Sequence, residues 1–315
     1  MIKKLVLLTA FLFQTALYAQ SWEEFRIINE VDLGKTYGTL LKTENTDKIV
    51  LIIPGSGPTD RNGNSTIAGE NNSLKYLAEG LAEEGISSLR IDKRGVNQSD
   101  IIDEWADKMT FEIFILDAIN WISHLTKERK FKEVILLGHS QGSLVSFIAT
   151  KASKDVKGVI SIAGAASSAD ELILQQLKNQ APNLHMEAAE LFRHLKNGES
   201  IPQTNPILSS IFNPKTNNFL ASWIIFNPMD EILSIKAPIL IIQGTSDLQV
   251  PLTEAEKLIQ NARSSSNAQL KIIPKMNHVL KIVDSKEENL KSYKDPSFPV
   301  STELLDEVNR WISNL

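Results

Sequence analysis

Short runs of Ile, Leu and Val recur along this chain of 315 residues and alternate with segments of helical periodicity. Nearly continuous apolar runs are typical of parallel strands, since helices cover both faces of such a sheet. The clearest strands are predicted at Ile49–Ile53, Ser87–Ile91, Val134–Leu137, Gly158–Ala163, Ile239–Gln243 and Leu270–Ile273. Two weaker runs, Phe25–Val31 and Tyr37–Lys42, predict an antiparallel edge. The alternation therefore predicts an α/β fold, a mostly parallel sheet flanked by helices.

Apolar residues at helical spacing predict amphipathic helices at Leu74–Glu84, Phe111–Leu125, Thr253–Asn261 and Leu304–Ile312. Residues 167–234 carry helical patterns without a convincing strand. Because structureless loops of that length are uncommon in compact domains, we expect a helical cap at 167–234 inserted into a core of 20–166 and 235–315. This cap follows a strand of the sheet, so it should lie over the carboxyl ends of the strands, where open α/β folds bind ligands.

Residues 1–19 have the pattern of a secretory signal peptide. Lys3 and Lys4 precede an apolar run that ends near Leu17, and Ala19 supplies a small residue before the cut. The run of about 13 residues is shorter than the roughly 20 that a membrane-spanning helix needs. We therefore expect cleavage before Gln20, export to the periplasm or beyond the cell, and no stable membrane insertion afterwards.

The composition excludes several classes of site. The chain has no cysteine, which excludes disulfides, thiolate metal sites and a cysteine nucleophile. A formal net charge of -5 provides no basic surface typical of nucleic-acid binding, so no nucleic-acid partner is expected. The oligomeric state has no signature in the sequence.

The segment Gly138–Gly142 reads G-H-S-Q-G and has the G-x-S-x-G spacing of a nucleophile elbow. The pattern alone also fits an ordinary glycine-rich turn. An apolar strand leads directly into it, however, and an apolar helix face opens after it at Leu144 and Val145. Strand, sharp turn and helix together predict Ser140 as a catalytic nucleophile.

A serine hydroxyl becomes a good nucleophile when a base takes its proton and a carboxylate orients that base. In folds with this elbow the three residues follow in the order Ser, acid, His. Of the five histidines only His278 lies beyond the last strands, so it is the predicted base. Asp247, just past an apolar strand, is the predicted acid, although a turn aspartate also fits that context. Asp170, after the preceding strand, is the rival.

An oxyanion hole requires backbone N–H groups that point at the developing negative charge. Gln141, directly after the nucleophile, is expected to supply one. The loop after the Ile49–Ile53 strand reads P-G-S-G-P, and Ser56 within it is expected to supply the other. A flexible Gly/Pro loop is the alternative interpretation.

These motifs together resemble those of capped α/β-hydrolases, a group that includes bacterial carboxylesterases and relatives of serine aminopeptidases. The matching segments are Gly55–Asn64, Asp92–Gly95, Gly138–Gly142, Gly244–Asp247 and Asn277-His278. They occur in the family's order from about Ile49 to the C-terminus. The chain departs from many relatives at Pro54, where a histidine is frequent.

The resemblance implies the α/β-hydrolase fold and the triad Ser140, Asp247 and His278. We accordingly expect hydrolysis of small-molecule carboxylic esters through an acyl-enzyme, with no metal or organic cofactor. A serine aminopeptidase, a thioesterase and a non-catalytic binding protein are the alternatives. An aminopeptidase needs cap carboxylates for the free amine, and the cap offers six that also fit solvated helix faces: Glu171, Glu187, Glu190, Glu199, Asp230 and Glu231.

Three further features have two interpretations each. Arg61 either binds a substrate carboxylate or, with Asp60, fixes the oxyanion loop through ion pairs. Asp92–Gly95 is interpreted as a turn held by charge pairs beside the site. The apolar cluster near the end of the cap, Phe219, Trp223, Ile224 and Phe226, either lines an acyl pocket or packs the cap onto the core.

Overall fold

An eight-stranded sheet runs through the computed structural model, which describes residues 22–31, 34–44, 46–99, 108–263 and 267–315. Its strands are β1 (Trp22–Val31), β2 (Gly34–Thr43), β3 (Lys48–Ile53), β4 (Ser87–Ile91), β5 (Glu133–His139), β6 (Val156–Ile162), β7 (Ile239–Gly244) and β8 (Ala268–Ile273). Their order across the sheet is β1-β2-β4-β3-β5-β6-β7-β8. The β1–β2 and β2–β4 pairs are antiparallel, and the pairs from β4–β3 to β7–β8 are parallel. The predicted mostly parallel sheet with an antiparallel edge is confirmed.

Helices cover both faces of the sheet. They are α1 (Ser73–Glu83), α2 (Phe111–Ser123), α3 (Gln141–Lys151), α4 (Ala169–Gln180), α5 (Pro182–Lys196), α6 (Asn217–Trp223), α7 (Pro228–Leu233), α8 (Leu252–Ala262), α9 (Lys286–Ser292) and α10 (Thr302–Ser313). A π-helical turn at His124–Glu128 extends α2, and a short 3₁₀ turn lies at Leu208–Ser210. Within the described part of the chain, no helix combines the length and apolar character needed to cross a membrane.

The alternation of side chains along the strands divides the core into two layers. On β3, Ile49 and Leu51 pack with the apolar faces of α2, α3 and α8, whereas Val50 and Ile52 pack with those of α1 and α10. All four side chains are completely buried. Each contributes about 1.5–3 kcal/mol to folding, which explains why both faces of these strands are apolar.

Four helices, α4 to α7, lie between β6 and β7, where the sequence predicts a helical insertion. The first three share a hydrophobic cluster of their own that includes Leu191, Phe192 and Leu220, whereas Ile232 of α7 packs in the main core. Trp223 stacks on Phe111 of α2, with ring centroids 5.9 Å apart, so this segment also packs on the helices of the sheet. The division into a core and a cap at 167–234 stays a prediction. The predicted signal peptide, residues 1–19, lies outside the described residues.

Candidate active site

Ser140 sits in a strained turn between β5 and α3. Its backbone has φ 53° and ψ -120°, a combination that is uncommon for any residue except glycine and is costly to maintain. The glycines on either side permit the tight turn. A Cβ atom on Gly138 would lie 2.2 Å from the carbonyl oxygen of Gly142, and one on Gly142 would lie 2.3 Å from that of Ile53. The turn thus has the geometry that exposes a serine hydroxyl at the end of a central strand.

The loop after β8 carries His278 to the carboxylate of Asp247, which follows β7. The Nδ1 atom of His278 lies 2.8 Å from Oδ2 of Asp247, where its N–H donates to the carboxylate. The Asp247 side chain is fully buried, and that of His278 is 6% exposed. A histidine held in this way presents Nε2 as a proton acceptor, and His278 and Ser140 line the same cavity.

Four hydrogen bonds fix the orientation of the Asp247 carboxylate. Oδ1 accepts the backbone N–H groups of Gln249 and Val250 at 2.8 and 2.9 Å. Oδ2 accepts Nε2 of Gln243 at 3.1 Å besides the imidazole of His278. Burial by itself raises the pKa of Asp247, but the neighbouring His278 and the backbone N–H groups lower that pKa overall. The group is therefore a buried anion aligned on one imidazole nitrogen.

Asp170, the rival acid, is engaged elsewhere. It lies at the start of α4, where Oδ1 accepts the hydroxyl of Ser168 at 2.7 Å. Its Oδ2 forms an ion pair with Lys196 of α5 at 2.5 Å. The structure brings Asp247, rather than Asp170, to the predicted base.

His139, the residue before the nucleophile, lies against the predicted base rather than pointing away from it. Its ring centroid is 4.9 Å from that of His278, and its Nε2 lies 2.8 Å from the carbonyl oxygen of His278. Burial lowers the pKa of His139 to about 3, so the ring is neutral and Nε2–H donates to that carbonyl. His139 therefore fixes the backbone that carries the base.

This buried imidazole predicts a distinctive dependence of stability on pH. In the unfolded chain a histidine takes up a proton below about pH 6.5, whereas folded His139 stays neutral down to about pH 3. Protonation of the unfolded state lowers the free energy of unfolding by about 1.4 kcal/mol per pH unit within that window. Relative to a His139→Asn variant, the wild type should lose stability as pH falls from 6 to 4. Denaturant titrations at pH 7, 6, 5 and 4 measure the free energy of unfolding of both proteins. An equal pH dependence of the two would contradict the assignment of His139 as a buried neutral imidazole.

The two predicted oxyanion donors lie beside the nucleophile. Ser56, Ser140 and Gln141 line one cavity. Gln141 is the first residue of α3, so its N–H has no intrahelical acceptor and is available to a ligand. A Cβ atom on Gly55 would lie 3.2 Å from Cβ of Ser140, which shows how closely the loop after β3 approaches the elbow. An oxyanion between Ser56 and Gln141 would be adjacent to the serine hydroxyl.

Arg61 belongs to the scaffold of this loop. Its Nε and backbone N–H donate to the carboxylate of Asp92 at 2.9 and 2.8 Å, and Nη1 donates to Thr39. Oδ1 of Asp60 accepts the backbone N–H groups of Asn62 and Asn64. Of the two interpretations of Arg61, the structure favours the one in which an ion pair holds the loop.

Ser140 faces cavities on two sides. The first, of about 140 Å³, lies under α4 and α6 and is lined by apolar side chains that include Leu144, Leu172, Ile173, Trp223 and Val250. The second contains His278 and shares Ile67, Ala68, Gln249 and Tyr293 with an open groove of about 940 Å³. Trp223 thus both lines the small cavity and packs on the core.

The described residues contain no group of three or more His, Cys, Asp or Glu side chains that could hold a metal ion. The chemically distinctive residues at this site are Ser140, His278 and Asp247. Gln243 and His139 contact the predicted acid and base, respectively, although neither is a predicted site residue. A glutamine at the end of an otherwise apolar strand was a detectable signal, whereas the direction of His139 depends on tertiary packing.

The model of a protein family described as serine aminopeptidase, S33, matches residues 68–282. That range contains Ser140, Asp247 and His278. The esterase EstD of Thermotoga maritima is 26% identical over 280 residues. That alignment covers 87% of this chain, and the chain spans 64% of the length of EstD.

Solved structures share the fold. The Pyrococcus furiosus esterase Pf2001 superposes with a TM-score of 0.62 at 17% identity, over 94% of this chain and 92% of that one. Est1E of Butyrivibrio proteoclasticus, with ferulic acid bound, superposes with a TM-score of 0.59 at 18% identity, over 91% of this chain and 98% of that one. The predicted α/β-hydrolase fold is confirmed by these similarities.

Proposed function

This chain belongs to the serine aminopeptidase S33 family of α/β hydrolases, and we propose that it hydrolyses carboxylic esters through an acyl-enzyme on Ser140. The observation that carries the proposal is the buried Asp247–His278 pair, joined at 2.8 Å, in the same cavity as a serine on a strained elbow. The similarity to EstD supports the ester as the substrate class.

In the proposed reaction the Ser140 hydroxyl attacks the ester carbonyl while Nε2 of His278 accepts its proton. The N–H groups of Ser56 and Gln141 stabilise the tetrahedral oxyanion. The C–O bond to the alcohol then breaks, and His278 returns the proton to the departing alkoxide. Water, deprotonated by the same imidazole, then attacks the acyl carbon. The bond from that carbon to Oγ of Ser140 breaks, and His278 returns the proton to Oγ as the acid leaves.

The positions of the two cavities suggest how an ester would bind. The leaving alcohol must lie next to His278, which protonates it, and therefore on the side of the open groove. The acyl group then occupies the small apolar cavity beneath Trp223 and Leu172. We propose that the acyl group is short and that the alcohol is less restricted in size.

The carboxylates of the α4–α7 segment support an ester rather than a peptide with a free amine. Among the described residues that line the three cavities, Asp247 is the only carboxylate, and its oxygens are already bonded. Five of the six carboxylates considered for binding a free amine have other partners. Glu171 caps α4, and Glu187 accepts the hydroxyl of Thr204. Glu190, Glu199 and Glu231 lie within ion-pair distance of Arg193, His194 and Lys151, respectively. An ammonium group at the nucleophile would lack a counter-ion from this set.

A substrate panel tests the proposal. We expect p-nitrophenyl acetate and butyrate to be hydrolysed much faster than aminoacyl p-nitroanilides with a free amine. Within the esters, kcat/KM should fall at least about tenfold once the acyl chain outgrows the small cavity. Steady-state rates on both series measure this. Faster cleavage of the anilides would favour the aminopeptidase, and a preference for long acyl chains would contradict the assignment of the small cavity.

A further inference from the structure

A buried lysine lies beneath the loop that carries Ser56. The Nζ atom of Lys93, just after β4, donates hydrogen bonds to the carbonyl oxygens of Gly55 and Gly57. These two residues flank Ser56 in the chain. The Lys93 side chain therefore contacts the oxyanion loop, but it is not among the residues that line the cavity of Ser56 and Ser140.

Lys93 differs from the charged residues on either side of it. Asp92 pairs with Arg61, and Arg94 pairs with Asp117 at 2.6 Å, so the predicted charge pairs account for these two neighbours. The acceptors of Lys93 within the described residues are instead two backbone carbonyls, with the Phe114 ring centroid 5.6 Å away.

This location costs stability. Burial lowers the pKa of Lys93 to about 7, because the charged ammonium is poorly solvated there. Below that pH the fold holds a buried cation that pairs with no carboxylate of the described residues, and above it the fold holds an amine that has lost its proton. An apolar side chain of similar length would avoid this cost of burying a charged or polar group. Its contacts with the loop suggest a role other than stability.

We propose that Lys93 is a positioning residue for the oxyanion hole, an inference that rests on the proposed ester hydrolysis. The carbonyl of Gly55 and the N–H of Ser56 belong to one trans peptide unit, and in such a unit the two groups point in opposite directions. By holding the Gly55 oxygen, Lys93 turns the N–H of Ser56 toward Ser140. The bond at Gly57 fixes the other side of the same turn.

The alternative orientation of this peptide shows why the contact matters. If the unit rotated, the Gly55 carbonyl would point at the developing oxyanion and repel it, and one of two hydrogen-bond donors would be lost. Preorganised donors are effective in an active site because they need no reorganisation during the reaction. Lys93 supplies this preorganisation without contacting the substrate.

The Lys93→Met variant provides the first test. We expect kcat for p-nitrophenyl butyrate to fall about 10²-fold, since a misplaced oxyanion donor costs roughly that much, while KM changes less than about threefold. The Tm should be unchanged or higher, because the buried amine is removed. The affinity for a trifluoromethyl ketone, which forms a tetrahedral adduct with the serine, should fall by the same factor as kcat/KM.

Lys281→Met is the matched control. Lys281 is a second buried lysine, and its Nζ lies 4.6 Å from the Tyr76 ring centroid. Its removal should leave kcat unchanged. An equal loss of kcat in both variants, or a loss in Lys93→Met that accompanies a comparable fall in Tm, would assign Lys93 a merely structural role and overturn the proposal.

Chemical rescue is the second test, and the absence of cysteine from the chain makes it selective. The Lys93→Cys variant is denatured and alkylated with 2-bromoethylamine, which rebuilds a lysine-like amine on the cysteine. It is then refolded, and wild type is taken through the same steps. We expect this amine to restore kcat and alkylation with iodoacetamide to leave it low. Equal activity after both reagents would overturn the proposal. Failure of the proposed ester hydrolysis can be told apart from failure of the proposed role of Lys93, because untreated wild type would then be inactive on esters.

Discussion

The Ser140→Ala variant should lose ester hydrolysis by about 10⁶-fold in kcat and should no longer be labelled by a fluorophosphonate. The hydroxyl is the only protein group in the proposed mechanism that bonds to the acyl carbon, so no neighbouring side chain replaces it. The variant should still hydrolyse the ester about 10³-fold faster than the uncatalysed reaction in water, because the oxyanion donors remain. Intact mass spectrometry measures the label, and steady-state rates measure kcat.

Two controls separate this effect from damage to the elbow. Ser146→Ala removes another hydroxyl of α3, one that is buried and donates to the carbonyl of Gly142 at 2.9 Å. It should keep both labelling and activity. Ser140→Gly should be as inactive as Ser140→Ala but more stable, because glycine adopts φ 53° without the strain that a side chain imposes. Labelling that persists in Ser140→Ala would assign the nucleophile to another residue.

The position of Ser140 could be predicted from sequence because its determinants are local. Two glycines at fixed spacing, an apolar strand before them and an apolar helix face after them are all visible in one stretch of chain. The parallel strands were predictable for a similar reason, since side chains such as those of Ile49 and Val50 are buried on opposite faces. Patterns within a short window suffice for such features.

The edge of the sheet was predicted less completely. β1 and β2 pair over their whole length, from Trp22 with Thr43 to Val31 with Gly34, and the hairpin extends beyond the apolar stretches that mark it in the sequence. Polar residues without a strand signal of their own also take part in the backbone pairing of the two strands. The ends of edge strands are therefore poorly defined by hydrophobic pattern alone.

The positioning residues were not predictable, because their roles depend on direction in three dimensions. His139 occupies a variable position of the elbow pattern, and only the approach of the His278 loop gives its ring a partner. Lys93 stands between Asp92 and Arg94 in a charged turn that suggested ion pairs. Asp92 and Arg94 do form such pairs, whereas Lys93 lies under the oxyanion loop. Sequence spacing gives no information on this difference.

The Asp247→Asn variant should keep its fold and lose about 10⁴-fold in kcat. The hydrogen bonds around the carboxylate explain why. Oδ1 accepts two backbone N–H groups, from Gln249 and Val250, so the amide oxygen of asparagine must occupy that position. The amide NH₂ group then takes the place of Oδ2 and faces Nδ1 of His278. Two donors do not bond each other, so the imidazole must give up the proton on Nδ1.

The consequence is a histidine in the wrong tautomer. With Nδ1 as an acceptor, the proton moves to Nε2, which is then unable to take the proton of Ser140. Asp170→Asn is the matched control, an equally conservative change at a buried aspartate whose partners are Ser168 and Lys196. Its kcat should remain near that of wild type even where the lost ion pair lowers Tm. Steady-state rates and thermal unfolding of both variants measure these effects. If Asp170→Asn were inactive while Asp247→Asn kept its activity, Asp170 would be the acid, despite the 2.8 Å contact between Asp247 and His278.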